Sequence, residues 1–224
     1  MSLAGKRILL VGDSHTVGTY GTALEAALKA AGATVQRIAH VGARAADYLG
    51  KGKYAAELGA AKKPFDIAVV SLGTNDAAFL PTNKGKLASQ MQAILDASGA
   101  PTTWWVGPPS FHPTAAKTYN AAFAKWNLTD RAQAVWDEVS AAFGRRAIDA
   151  REATFAFVNP KDIHLGKDGG KAWAKLVAQT LGGGALPSVR PSADPDAGSG
   201  ISVTTVAVGL AVVGAALLLL RRRS

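Results

Sequence analysis

Apolar positions along this 224-residue chain alternate between two rhythms. Nearly unbroken runs at Ile8 to Val11 and Ile67 to Leu72 have the length and branching of strands buried on both faces. Thr102 to Val106 reads as a third such strand, and Val35 to Ile38 and Ala147 to Asp149 as shorter ones. Between them apolar residues recur at helical spacing. Leu24 and Leu28 follow Thr22-Ala23-Leu24-Glu25, which has the form of a capping box, and Gly32 closes that helix. Further helices are predicted over 54–62, over 84–97 (Leu87, Met91, Ile94 and Leu95 on one face), and over 115–126. Another spans 130–143, with Thr129 or Asp130 as its cap, and the last spans 169–181, with Trp173, Leu176, Val177 and Leu181 turned to the core. Buried strands alternating with amphipathic helices predict an α/β protein whose parallel sheet is covered on both faces.

The rhythm ends at Gly182. Residues 183–200 are rich in Gly, Pro, Ser and Asp and read as a flexible linker. Residues 201–220 are uncharged and apolar all round, long enough for one transmembrane helix, and 221–224 form a basic tail. The expected organisation is therefore a domain over 1–182, a linker, and a single-pass C-terminal membrane anchor. Three arginines after the span predict a cytoplasmic C-terminus and a domain on the extracytoplasmic face. No secretory signal precedes the domain, which pulls the other way.

Composition narrows the chemistry. With 48% apolar residues the chain can build a sizeable core. The net charge of +9 is spread thinly, without a nucleic-acid motif, so no nucleic-acid partner is expected. There is no cysteine, which excludes thiol catalysis, disulfides and Cys-based metal sites. No Asp/Glu/His grouping has metal-ligand spacing, and Gly12, Gly18 and Gly21 do not match a dinucleotide or P-loop fingerprint, so neither metal nor cofactor is expected.

Several chemistry-bearing residues fall at strand ends, where open α/β sheets place their sites. Ser14 follows the first strand, in Gly12-Asp13-Ser14-His15. Gly42 follows the second, and Asn75 follows the third in Gly73-Thr74-Asn75-Asp76. His164 precedes the last helix. A hydrolytic serine needs a base and oxyanion donors, and these residues supply both types. Asp13 can cap or brace the serine loop. His15, His40 and His112 are candidates for lining the site.

These four blocks resemble, in order, those of the SGNH (GDSL-type) hydrolases over about residues 5–182. The resemblance implies a three-layer α/β/α, flavodoxin-like fold with about five parallel strands. It implies Ser14 as nucleophile, His164 as base and then acid, and an oxyanion hole from the Ser14 and Gly42 N–H groups and the Asn75 side chain. The family's acid stands three residues before its histidine; here that position is Lys161, and Asp162 stands two before. Asp162 orienting His164, a Ser–His dyad held by a backbone carbonyl, and an impaired enzyme are the alternatives. The expected activity is ester hydrolysis through an acyl-enzyme, by a short-chain esterase or a carbohydrate O-deacetylase. The alternative is a weak or inactive membrane-tethered glycan-binding module.

Overall fold

The computed structural model describes residues 2–78, 84–115 and 127–184. All of them lie in the first of two units, 1–187 and 188–224. Most of the helix expected over 115–126, and the linker beyond Gly184, the membrane span and the basic tail, lie outside the described residues. Among the described residues no helix is long and apolar enough to cross a membrane.

Five strands, β1 (Arg7–Gly12), β2 (Thr34–Ala39), β3 (Ile67–Ser71), β4 (Thr102–Val106) and β5 (Ala147–Ile148), form one sheet in the order β2-β1-β3-β4-β5. Every pairing is parallel. This is the expected three-layer α/β/α architecture. The helices around it are α1 (Ser14–Val17), α2 (Thr19–Ala30), α3 (Ala55–Gly59), α4 (Thr74–Ala78), α5 (Leu87–Ser98), α6 (Leu128–Phe143), α7 (Arg151–Thr154) and α8 (Lys167–Leu181).

Strand alternation divides the core in two. Leu9, Val11, Ala68 and Val70 pack with Leu87, Met91, Ile94 and Leu95 of α5 and with Val135, Trp136 and Val139 of α6. Ile8, Leu10, Ile67 and Val69 face the other way, onto Tyr20, Leu24 and Leu28 of α2 and Trp173, Val177 and Leu181 of α8. Trp105 is fully buried, stacks on Trp136 and donates to the Leu72 carbonyl at 3.1 Å, so it serves the core.

Helix starts shift by up to three residues from the sequence reading (α5 begins at Leu87, α8 at Lys167), and at two helices the cap itself differs. The α2 helix begins at Thr19 directly after Gly18, and the Thr22 N–H already bonds the Gly18 carbonyl at 3.1 Å. Thr22 is thus one turn inside, and Glu25 is free to pair with Lys29 (2.6 Å) and Arg37 (3.1 Å) rather than close a capping box. The α6 helix is capped by Asn127, whose side chain accepts from the Asp130 N–H, so Thr129 and Asp130 sit in its first turn.

The register sets the site's position. Gly12 pairs with Ala39 on one side and Ser71 on the other, so the carboxyl ends of β1, β2 and β3 finish level. The chain leaves β1 toward β2 on one side and reaches β3 on the other, so the strand order reverses beside β1. Ligand crevices in open α/β sheets form at this point.

Candidate active site

Gly12 ends β1 because nothing larger fits: a Cβ there would stand 2.0 Å from Thr16 Oγ1. Asp13 then caps α1, accepting the His15 N–H at 3.0 Å. This makes Ser14 the first residue of α1, half-buried, at the carboxyl edge of the sheet.

His164 arrives from the far end of the sequence. Asn159 and Asp162 form an antiparallel bridge around Pro160-Lys161, and the Asn159 side chain accepts the Lys161 N–H at 2.9 Å. This turn directs Asp162, not Lys161, at the histidine. One Asp162 oxygen accepts both the His164 backbone N–H and ring Nδ1–H, each at 2.9 Å. A carboxylate can only accept, so the proton sits on Nδ1 and the lone pair on Nε2. That Nε2 lies 2.8 Å from Ser14 Oγ, across 150 positions of sequence. Desolvation pushes the Asp162 carboxyl up, but the backbone and ring hydrogen bonds from His164 outweigh it and hold it below its ordinary value. A charged acid, an oriented imidazole and a hydroxyl thus stand in one hydrogen-bonded line, which can move a proton off the hydroxyl.

The oxyanion candidates lie across the β1 edge. Gly42 has φ of +75°, in the left-handed region that favours glycine, and its N–H meets no acceptor among the described residues. The Asn75 side chain is buried and donates to the Ala43 carbonyl at 3.1 Å, leaving its second amide proton available. Asp76, fully buried, accepts the Ala45 N–H at 3.1 Å. Together they tie the Gly42 loop to the start of α4. Tyr48 braces the same region, donating to the Gly12 carbonyl at 2.6 Å.

Two carboxyls beneath the site are perturbed. Burial raises Asp13 to about 7, opposed by the His15 N–H and reinforced by Asp76. Burial likewise raises Asp76 to about 7, against the Ala45 N–H and the Arg44 charge.

The three other histidines differ in their surroundings. His15 is buried between His164 and Trp173, with ring centroids at 5.0 and 5.4 Å. Burial, then the charge of His164, lowers it to about 3, so it is neutral and does not compete as a base. His40 stacks on Tyr54 at 3.7 Å and pairs with Glu57 at 2.6 Å. His112 contacts Thr114 Oγ1 at 2.8 Å, and Thr114 donates to the Pro160 carbonyl at 3.1 Å, joining the loop after β4 to the His164 loop. Sequence reading did not single out Tyr48, Asp76 or Phe111, which packs on His15 at 6.3 Å. Asp76 closes the Gly73-Thr74-Asn75-Asp76 block without a role read for it, and nothing marks Tyr48 or Phe111, because each acts through a contact remote in sequence. Among the described residues no group of three His, Asp or Glu could hold a metal.

No family model matches the chain, and no curated protein does. Solved structures do. A protein of Slackia heliotrinireducens assigned to the SGNH hydrolases aligns with a TM-score of 0.58 at 19% identity, over 80% of this chain and 100% of its own. The native aryl esterase of M. smegmatis aligns at 0.60 and 19%, over 79% and 98%. Est24, a carbohydrate acetylesterase of Sinorhizobium meliloti, aligns at 0.58 and 16%, over 79% and 98%. The fold is that of the SGNH hydrolases.

Proposed function

We propose that the protein is a serine esterase acting through an acyl-enzyme. The observation that carries this is the line Ser14 Oγ–His164 Nε2–Asp162 Oδ1, at 2.8 and 2.9 Å, assembled where the strand order reverses. Ser14 Oγ attacks the ester carbonyl as its proton passes to His164 Nε2. The tetrahedral oxyanion is held by the N–H groups of Ser14 and Gly42 and the Asn75 amide. Collapse breaks the bond to the alcohol, which leaves with the proton from His164, and an acyl group remains on Ser14. Water then gives a proton to His164, attacks the same carbonyl, and releases the acid as Ser14 recovers its hydrogen. Asp162 stays charged and holds the imidazolium.

A short acyl group, acetyl above all, is the favoured substrate. Supporting it is the similarity in fold to an acetylesterase of carbohydrates and an aryl esterase. Residues 201–220 favour a membrane tether for this esterase, which carbonate extraction of membranes would test.

The test is hydrolysis of p-nitrophenyl acetate by the full chain beside Ser14→Ala. The reading predicts a loss of about 10⁴-fold or more in kcat. Undiminished turnover in Ser14→Ala overturns it.

A further inference from the structure

The end of the sheet opposite the site is cationic. The segments that enter the strands there are 2–6 before β1, 60–66 before β3 and 144–146 before β5. Lys6, Arg7, Lys62, Lys63, Arg145 and Arg146 fall in them or next to them. Acids at this end are already engaged: Asp66 pairs with Lys6 at 3.1 Å, and Asp96 accepts the Gln92 amide at 2.7 Å. Arg146 donates to the neutral side chains of Thr103 and Gln92, at 2.8 and 3.2 Å. Among the described residues no carboxylate pairs with Lys62, Lys63, Arg145 or Arg146. Lys62, Lys63 and Arg145 are exposed.

These cations cross the whole end of the sheet. With five strands in the order β2-β1-β3-β4-β5, spaced about 4.8 Å apart, that end is about 19 Å wide. The Lys62 N–H bonds Gln36 Oε1 of β2 at 3.1 Å, at one edge, and Arg145 stands before β5, at the other. Beside β2 lies a cleft of about 340 Å³ lined by Arg7, Thr34, Val35, Gln36, Lys62 and Phe65, with no acid among them. Arg7 Nη2 donates to the Lys62 carbonyl at 2.7 Å, which holds both cationic residues at its wall. The Gln36 oxygen is taken, so its amide N–H groups are left to donate. Cationic and neutral donors without an acid suit an anionic oxygen group.

The chain leaves the domain from this same end. The α2 helix starts beside the site, and Gly32 just past its end accepts the Gly5 N–H at 2.9 Å. The α8 helix starts beside the start of α2, with Trp173 stacked on Tyr20 at 4.0 Å, and the two pack side by side. It therefore carries the chain roughly 20 Å, from the site to the strand amino ends. In the sequence, residues 185–200 then lead to the uncharged apolar run 201–220. A small free anion would meet only the cleft. A lipid surface presents anionic groups across the full width, and each Lys or Arg near it adds about fivefold in affinity.

We propose that this face docks on an anionic lipid surface, with a headgroup phosphate in the Arg7–Lys62 cleft, and so turns the Ser14–His164 site away from the bilayer. The charge argument stands apart from the esterase reading; the orientation rests on the membrane tether proposed above for residues 201–220.

The chain has no cysteine, so one introduced cysteine gives a unique label. The full chain is labelled with a donor fluorophore at Ala31→Cys on this face or at Val41→Cys on the site's end. It is reconstituted in phosphatidylcholine vesicles, with or without phosphatidylglycerol, that carry an energy-transfer acceptor on their headgroups. On the anionic vesicles, transfer from position 31 is expected to exceed that from position 41 about twofold or more. About 0.5 M NaCl, or Lys62→Ala/Lys63→Ala/Arg145→Ala, is expected to remove the difference. These exposed changes are expected to leave Tm unaltered, so the loss reports charge rather than unfolding.

Equal transfer from the two positions, greater transfer from position 41, or a difference untouched by salt and by the triple variant overturns the docking face. Heparin binding with no difference between anionic and neutral vesicles overturns lipid as the partner. A full chain that does not float with neutral vesicles overturns the tether alone. Flotation with anionic vesicles then decides the face: the triple variant is expected to bind about 10²-fold less tightly, and no binding, or equal binding by the variant, overturns it.

Discussion

Asp162 reaches His164 from two positions before it, through a turn in which Asn159 and Asp162 bridge around Pro160-Lys161. The single oxygen that binds both the backbone N–H and Nδ1–H of His164 fixes ring orientation and tautomer together. The inactive, glycan-binding alternative rests on Lys161, and the Asp162 contact favours the esterase reading over it. Asp162→Asn is expected to lower kcat by on the order of 10³-fold with KM little changed, because the amide permits the wrong imidazole tautomer. Steady-state kinetics on an acetate ester checks this, and a change below about threefold would make Asp162 a bystander. At this scale the sequence was legible where a residue type limits the chemistry: a serine after a strand, a glycine at positive φ, an amide at a strand end. Which acid serves His164 was not, because that depends on the path of one turn.

The helices α2 and α8 pack on each other through Gly170. A Cβ there would stand 2.4 Å from Thr19 Oγ1 and 2.9 Å from the Tyr20 N. Replacing a helical glycine with alanine ordinarily stabilises by about 1 kcal/mol. Gly170→Ala should do the opposite, lowering Tm by about 5 °C through overpacking. Gly59→Ala in α3, where a Cβ meets nothing within 4 Å, is the control expected to hold or raise Tm. Thermal melts of both variants decide it. The strands were legible because unbroken apolar runs leave few alternatives, and β4 matches its expected range. Helix starts were less so. Thr22-Ala23-Leu24-Glu25 carries a capping pattern, yet Gly18 lets α2 begin a turn earlier, directly behind α1. The short helices α1, α4 and α7 carry too few residues to show a period.

Across the whole molecule, the level carboxyl ends of β1, β2 and β3 bring together residues 150 positions apart. That convergence places Asp13 and Asp76 in the interior, and it shows in stability. Both carboxyls titrate at about 7 when folded, against 3.8 ordinarily. The folded chain therefore binds these protons more tightly than the unfolded chain. Their contribution is fully present below pH 3.8 and is lost as pH rises through about 7. His15, lowered from 6.5 to about 3, works the other way: its contribution is present above 6.5 and is lost as pH falls toward 3. Above pH 6.5 the acids alone remain, so Tm is expected to fall between pH 6.5 and 8.5. Asp76→Asn, which keeps an acceptor for the Ala45 N–H, should flatten that fall. A decline of equal size in Asp76→Asn would exclude Asp76 as its source.

The most direct test of the central claim is a fluorophosphonate reaction on the folded full chain, followed by intact mass and peptide mapping, beside His164→Ala. One adduct on Ser14, formed at least about 10²-fold more slowly in His164→Ala, is the result this account predicts. A folded wild-type chain that takes no adduct, takes it elsewhere, or reacts equally fast without His164 would contradict it.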